Sequence, residues 1–466
     1  MGDVKNQWRL LICGLIGVVL VLCLVLGLQA RARMHKKQTL HSRKDFNDFD
    51  RWMQMTPRFL AAGGGHAYYV DDKLPNPPII LVVFAPFSWL PPAEAQLAWA
   101  LCKAPLIVGI VGMAVALARR GAGFEAGSWK VPWLLAGLAW FWPVIGDIQQ
   151  GQTNLLMLLP LTLGLWLAQD GCMRGMARGG GRDLAAGILI ALAIAIKVTP
   201  LIFLIYFLGR QRWGVVAGIL VGLVLWLLLV PGALFGWQRN LVWLAGWMQV
   251  MIMPYVAQGS VDYYSGQSIA SLVSRLLRQV PVFINHSGTS VYVNVVDWPE
   301  PLVRWIIRGV LGVMGLVGMG WLWRNRPRAA GVEQEGRGVA RQYLLETAAV
   351  AVFMLWASER TWVPHYVALG LALAAVATVA GDREMPARIR SWALAALGFA
   401  AAAMVLTSDL NKLLFGPDGG EYVKTFGVCL WPALGLVLVI LAAGWRPKTM
   451  AVSGSDGGLG RRAKKQ

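Results

Sequence analysis

Three carboxylates fall within six residues in Asp45-Phe46-Asn47-Asp48-Phe49-Asp50. A carboxylate placed beside an acceptor hydroxyl can take its proton as that oxygen attacks. The same residues also read as a solvated acidic turn that balances Lys44 and Arg51. A second cluster, Asp147-Ile-Gln-Gln-Gly-Gln-Thr-Asn154, stands where one apolar run ends and another begins. Amides at membrane depth are costly unless paired. Gln152 and Asn154 therefore read either as donors lining a polar cavity or as parts of a helix-hairpin turn capped by Thr153 or Asn154. Lys197 is the sharpest single signal. It lies in Ala191-Leu-Ala-Ile-Ala-Ile-Lys-Val-Thr-Pro200, between two apolar runs. Ionisable residues within a membrane are functional candidates by default, and Pro200 breaks the helix just beyond. A lysine there suits a phosphate as a point charge; the alternative is an anchor snorkelling to the headgroups.

Two further places carry polar groups among apolar ones. Tyr263-Tyr264-Ser265-Gly266-Gln267-Ser268 leads to Ser271 and Arg275. It reads as an amphipathic surface helix or as a sugar-binding surface of aromatics and hydrogen-bond partners. Ser358-Glu-Arg-Thr-Trp362-Val-Pro-His365-Tyr366 connects two apolar runs, and its histidine is either an interfacial residue or a catalytic one.

The elements that must position these residues are membrane helices. Of 466 residues, 57% are hydrophobic and 14% charged, against about 25% charged in ordinary soluble domains. Runs of roughly 18 or more apolar residues read as spans. A soluble enzyme, a disordered protein and a disulfide scaffold are excluded. The runs begin with Arg9–Leu28 and end with Gly427–Gly444, about twelve spans when Leu184–Leu208 counts as two. Pro77–Leu90 is too short for a span and reads as re-entrant or interfacial. Residues 1–444 form one integral-membrane domain with long outer loops at about 29–76 and 236–301. Residues 445–466 form a basic, Gly/Ser-containing tail that reads as disordered. The first run is too long for a removable signal peptide and lacks an obvious cleavage site. Cys13, Cys23, Cys102, Cys172 and Cys429 show no CxxC and no metal spacing, so neither a structural disulfide nor a metal site is expected.

The net charge of +19 reads as orientation charge rather than a nucleic-acid surface, because cytoplasmic loops collect Lys and Arg. With a cytoplasmic N-terminus, Arg119, Arg120, Lys130, Arg174, Arg178, Arg182, Arg210, Arg212, Arg324, Arg341 and Arg383 fall inside, as does the basic tail. The basic run Arg31 to Lys44 opposes this orientation locally. All five histidines then lie outside, with both long polar segments, so the chemistry faces the periplasm or exterior of an inner or plasma membrane. No Walker loop and no GxGxxG occurs. An enzyme working there lacks nucleotide sugars, and its activated substrate must be carried by a lipid.

Taken in order, these places resemble the polyprenol-phosphate-dependent glycosyltransferases of family 87, which have the GT-C fold and include mycobacterial mannosyltransferases and arabinofuranosyltransferases. The resemblance rests on Asp48-Phe49 followed by Gly63 and Tyr68-Tyr69, and on Asn76-Pro77-Pro78 running to Leu90-Pro91. It continues through Gly151-Gln152-Thr-Asn154, Ile196-Lys197-Val-Thr-Pro200, Gly266-Gln267-Ser268 with Arg275, and Trp362 with His365. It covers about residues 40–380. Asn76 stands where the family often has Tyr, and Gly266 where it often has Asn. The resemblance implies an inverting transfer of a sugar, mannose by family default, from a polyprenyl phosphate to a lipid or glycan hydroxyl. Asp48 would be the base, with Asp45 and Asp50 as alternatives, and His365 its support. Lys197 and then Arg275 would meet the departing phosphate. Gln152, Asn154, Gln267, Ser268 and Trp362 would contact substrate. No cofactor or metal is implied. A lipid-linked glycan flippase and a polyprenyl-dependent ligase or polymerase are the rival readings.

Overall fold

The computed structural model describes residues 2–40, 47–61, 76–121, 129–174, 180–253, 265–325 and 335–445. α1 (Gly2–Leu40) precedes two short helices, α2 (Asp48–Leu60) and α3 (Ile80–Phe84). Four long helices follow: α4 (Pro92–Gly121), α5 (Lys130–Gln149), α6 (Asn154–Arg174) and α7 (Gly180–Ile196). α8 (Ile202–Gly209) leads to α9 (Trp213–Leu223), α10 (Val230–Phe235) and α11 (Trp237–Trp247). Next come α12 (Ile269–Leu277), a two-residue antiparallel pair β1 (Phe283–Ile284) and β2 (Ser290–Val291), then α13 (Glu300–Arg324) and α14 (Glu335–Ala357). A 3-10 turn, Val363–Leu369, runs into α15 (Gly370–Gly381) and α16 (Ala387–Val405). The chain closes with α17 (Leu410–Phe415), α18 (Gly419–Thr425) and α19 (Leu430–Ala443).

The molecule is an all-α, multi-pass membrane protein. Among the described residues eight helices are long and apolar enough to cross a membrane, or nine if the bent pair α18–α19 is one span. The sequence expectation of about twelve also counted α6, α7 and α8. α7 and α8, with 17 and 8 residues, are too short to count as separate spans, whereas α6 is buried among neighbours and carries polar ends such as Asn154 and Asp170. α14 and α15 form the centre, with Leu344, Ala348, Ala351, Leu371 and Ala375 all buried. α13 is peripheral, and its exposed Leu316, Val317 and Trp323 give the apolar face expected against lipid. α7 and α9 meet backbone to backbone: a Cβ on Gly187 would lie 2.6 Å from Gly218 Cα. Small residues permit such approaches between membrane helices.

Two polar segments differ from the sequence reading. Residues 29–40 continue α1 as helix, and Arg31 pairs with Glu94 at 2.7 Å. Residues 236–301 hold α11, α12 and the β1–β2 pair rather than open loop. Pro77–Leu90 is a short helix and a 3-10 turn, too short to span.

The helix ends sort into two sets. At one, the start of α2, the α5–α6 turn, the break after α7 and the segment 358–365 converge. At the other, Arg120 and Arg182 pair with Asp170 at 2.8 and 2.9 Å, Arg212 pairs with Asp183 at 2.9 Å, and Arg341 donates to Gly121 O at 3.1 Å. Arginines read as inner charges thus gather at the end opposite the candidate site.

Candidate active site

The acidic cluster forms the start of α2, where two of its members do different things. Asn47 caps the helix: its Oδ1 accepts from Asp50 N–H at 2.8 Å, and its own N–H donates to Asp50 Oδ2 at 3.3 Å. This reciprocal pair is a capping box. Asp50 is buried and also accepts from the Gln96 amide. Phe49, Trp52, Met55 and Phe59 lie buried along the inner face of α2, so the helix rests on the bundle. Asp48 points elsewhere and is half-buried. Its Oδ2 accepts from the Gln152 amide, while Arg51 approaches Oδ1 only to 3.9 Å. Burial pushes the Asp48 carboxyl above its ordinary value, against the opposing pull of Arg51, the Gln152 hydrogen bond and Lys197. Asp45 lies outside the described residues.

The α5–α6 turn, residues 147–154, is locked to α2. Asp48 N–H donates to Gln150 O at 3.1 Å, and the Asn47 amide reaches Gln149 O at 3.4 Å. Trp99 Nε1 donates to Gly151 O at 3.2 Å. Beneath the turn, Lys103 is fully buried and donates to Asp147 O at 2.8 Å, to Gln152 O at 2.6 Å and to the Asp147 carboxylate. Gly151 has φ +66°, and a Cβ there would run into the Phe49 Cβ and lie 3.0 Å from Phe49 N. Replacing Gly151 by Ala is therefore expected to push α2 off the turn and cut turnover by about 10²-fold in a protein that still purifies. Turnover within about twofold of wild type would show that the turn and α2 need no such contact.

Lys197 sits at the break between α7 and the 3-10 turn containing Pro200. Its Nζ donates to Asn154 Oδ1 at 2.6 Å, and the Asn154 amide donates to Pro364 O at 3.3 Å. Asn76 donates to Ile196 O at 2.7 Å, fixing the last carbonyl before the break. Lys197, Asn154 and His365 share a small cavity with Thr199, Ser358 and Thr361. His365 Nδ1 accepts from Trp362 N–H at 2.7 Å, so the neutral ring carries its proton on Nε2. The sequence reading set His365 behind Asp48; the structure groups it with Lys197 and Asn154, because Pro364 and Trp362 anchor its segment over α6. Trp362 is half-buried beside it.

The remaining candidates are engaged within the framework. Gln267 is fully buried. Its amide donates to Lys424 O at 2.7 Å, its Oε1 accepts from Cys429 N–H at 3.3 Å, and its carbonyl accepts from Tyr366 Oη at 2.7 Å. Ser268 caps α12 and donates to Glu359 O at 3.0 Å. Arg275 is fully buried, donating to Thr425 O at 3.0 Å and Gly266 O at 2.8 Å. These three staple α12 to the segment 358–366 and to α18. The structure thus brings Asp48, Gln152, Asn154, Lys197 and His365 together, with Gln267, Ser268 and Arg275 behind them.

Sequence reasoning passed over Lys103, Gln96 and Trp99. Lys103 carried the same signal as Lys197, a charge inside an apolar run, and it faces the Asp147 of the amide cluster. Gly63, Tyr68, Tyr69, His41, His66, Tyr263, Tyr264 and residues 446–466 lie outside the described residues.

The model of glycosyltransferase family 87 matches residues 75–335. Over 168 residues the chain is 26% identical to a polyprenol-phosphate-mannose-dependent alpha-(1-2)-phosphatidylinositol pentamannoside mannosyltransferase of Mycolicibacterium smegmatis, 33% of this chain and 35% of that protein. Over 175 residues it is 25% identical to a polyprenol-phosphate-mannose-dependent alpha-(1-2)-phosphatidylinositol mannoside mannosyltransferase of Mycobacterium tuberculosis, 34% of this chain and 37% of that protein. The matches thus span about a third of the length of these relatives. Among solved structures, ArnT from Cupriavidus metallidurans bound to undecaprenyl phosphate aligns with a TM-score of 0.33 and 17% identity, over 94% of this chain and 77% of that one.

Proposed function

Since the chain belongs to glycosyltransferase family 87, we propose that it moves a sugar, mannose first among candidates, from a polyprenyl phosphate to a hydroxyl of a lipid or glycan acceptor. The observation that carries the proposal is the division of labour at the start of α2. Asp50 is consumed by the capping box and Gln96, whereas Asp48 is half-exposed and held by Gln152 with Lys197 near enough to act on its charge.

The chemistry runs in one displacement. Asp48 takes the proton of the acceptor hydroxyl as its oxygen bonds to the anomeric carbon. The bond from that carbon to the phosphate oxygen breaks, and its electron pair leaves on the polyprenyl phosphate. A phosphate leaves without protonation, so no second carboxylate is required, unlike glycoside hydrolysis. Backside attack inverts the anomeric centre. Positive charge on the departing phosphate comes from Lys197, oriented by Asn154. His365 lies on this leaving-group side and offers its Nε2 proton there. Trp362 borders the same region. Gln267 and Ser268 act by holding the 358–366 segment in place, and Arg275 by tying the start of α12 to α18. The opposed placement of the ion-paired arginines supports a non-cytoplasmic site. The names of the mannosyltransferase relatives support mannose as donor sugar and a lipid as acceptor.

The test is transfer of radiolabelled mannose from polyprenyl phosphate by purified protein in detergent, with a lipid extract as acceptor. Label is expected to move to a new lipid or glycan. No transfer from mannose or arabinose carriers by folded protein would overturn the reading.

The raised Asp48 carboxyl sets a pH dependence. Only the carboxylate accepts a proton, so activity is present above the folded-state pKa and is lost as pH falls through it. The acidic limb of kcat/KM is expected above the ordinary Asp value of about 3.9. A limb at or below that value would contradict Asp48 as the titrating base.

A further inference from the structure

One face of α4 reaches both parts of the site. Gln96, Trp99 and Lys103 are spaced three and four residues apart and so line one stripe of the helix. Gln96 holds Asp50 and, at 3.2 Å, Asn47 Oδ1, which is the cap of α2. Trp99 holds Gly151 O. Lys103 holds Asp147 O, Gln152 O and the Asp147 carboxylate. Every contact falls on a group that fixes either the start of α2 or the turn against it.

We infer that Lys103, paired with Asp147, is a positioning residue of the transfer reaction, setting the Gln152 amide against the carboxylate of Asp48. The inference rests on the proposed role of Asp48 as base.

Three features separate it from an ordinary buried ion pair. First, two of the three acceptors of Lys103 are backbone carbonyls at the two ends of one turn, Asp147 and Gln152. A lysine ammonium has three donors, and all three are committed to six consecutive residues. Second, the residue whose carbonyl it holds, Gln152, is the residue whose side chain holds Asp48. Third, a membrane interior gains nothing from a charge there unless the charge is put to use. An ion pair in such a place is often no more stable than an apolar pair of equal volume.

The prediction separates position from stability. Removing Lys103 alone would leave the Asp147 carboxylate buried with only the Asn154 hydrogen bond and the more distant charge of Lys197 to support it, so the informative variant is the doubly neutral Lys103→Met/Asp147→Asn. It removes one positive and one negative charge, and the net charge behind Gln152 is unchanged. The charged groups facing Asp48 also remain: Arg51 on its own helix and Lys197 from the break after α7, with Asp50 turned into its capping box. The Gln152 hydrogen bond draws the Asp48 pKa down, so slackening it moves the acidic limb of the pH profile to higher pH.

The experiment measures kcat, donor KM and the pH profile of the full-length double variant in detergent, using polyprenyl-phosphate mannose. The expected result is a kcat about 10²-fold lower, a donor KM within about threefold of wild type, and an acidic limb shifted upward. Wild-type kcat and limb would overturn the inference. If the double variant does not fold, a single conservative change at Lys103 decides. It is Lys103→Arg in place of any change at Trp99, whose ring also packs on Phe49, Phe84 and Phe87. Arginine keeps the charge opposite Asp147 but replaces the compact ammonium by a planar fork, and an unmoved limb there would overturn the inference equally. Asp48→Asn is assayed alongside. An active Asp48→Asn overturns the base assignment itself, whereas an inactive one beside a wild-type-like double variant overturns the role of Lys103 alone.

Discussion

Asp48→Asn is expected to lower kcat by about 10²–10⁴-fold, the usual yield of a positioned general base, with little change in thermal stability. The amide keeps an oxygen to accept the Gln152 hydrogen bond, and the backbone bond from residue 48 to Gln150 O survives. What is lost is the ability to take a proton. Asp50→Asn provides the contrast. Its side chain closes the capping box and meets Gln96, so its loss costs about 1 kcal/mol of helix stability and a smaller share of turnover. Paired measurement of kcat and melting temperature distinguishes the two. An active Asp48→Asn with an inactive Asp45→Asn would move the base to Asp45. Full activity in all three variants would leave the site without a carboxylate base.

Lys197→Met should cut kcat/KM for the donor by about 10²–10³-fold, the scale of losing one charge-stabilising donor. The methionine keeps the length and apolar stem of the side chain but removes the charge. Free polyprenyl phosphate, a product of the proposed reaction, is expected to inhibit the variant far less than the wild type. A lysine that only snorkels to headgroups would show no change in either quantity. The geometry favours the phosphate role, because Asn154 takes only one of the three ammonium donors. The main chain around Lys197 is also held by Asn76 on one side and Pro200 on the other. Inhibition of Lys197→Met at the wild-type concentration of polyprenyl phosphate would leave Lys197 an anchor.

Membrane residence followed from composition alone, because few charges and long apolar runs cannot cover a soluble surface. Lys197, Asn154 and Gln152 were legible for a related reason. Polar groups at membrane depth are expensive, so their presence marks places where partners must exist. The amino-acid order also carried the family resemblance, since the motifs recur in sequence whatever their contacts.

The cost of burial announces that a polar residue has a partner but not which partner. Gln267, Ser268 and Arg275 drew attention by the same logic as Lys197, yet their partners are backbone carbonyls and amides of neighbouring segments. His365 stood near the other motifs in chain order, but its anchoring through Trp362 turns it toward Lys197. Asp48 and Asp50 are two residues apart and chemically identical. On a helix that spacing points them to different faces; the capping box took Asp50 because it stands three residues after Asn47, a local relation, whereas only the docking of α2 against the α5–α6 turn gave Asp48 its partner Gln152. Lys103 needed the docking of helices to acquire meaning, because nothing in an apolar run reveals that its one lysine lies beneath a turn that begins 44 residues later in the sequence. Amino-acid type set which groups had to be satisfied; the packing of helices remote in sequence decided by whom, because hydrogen bonds in a membrane interior are short-ranged and are made wherever the backbone brings a partner within reach.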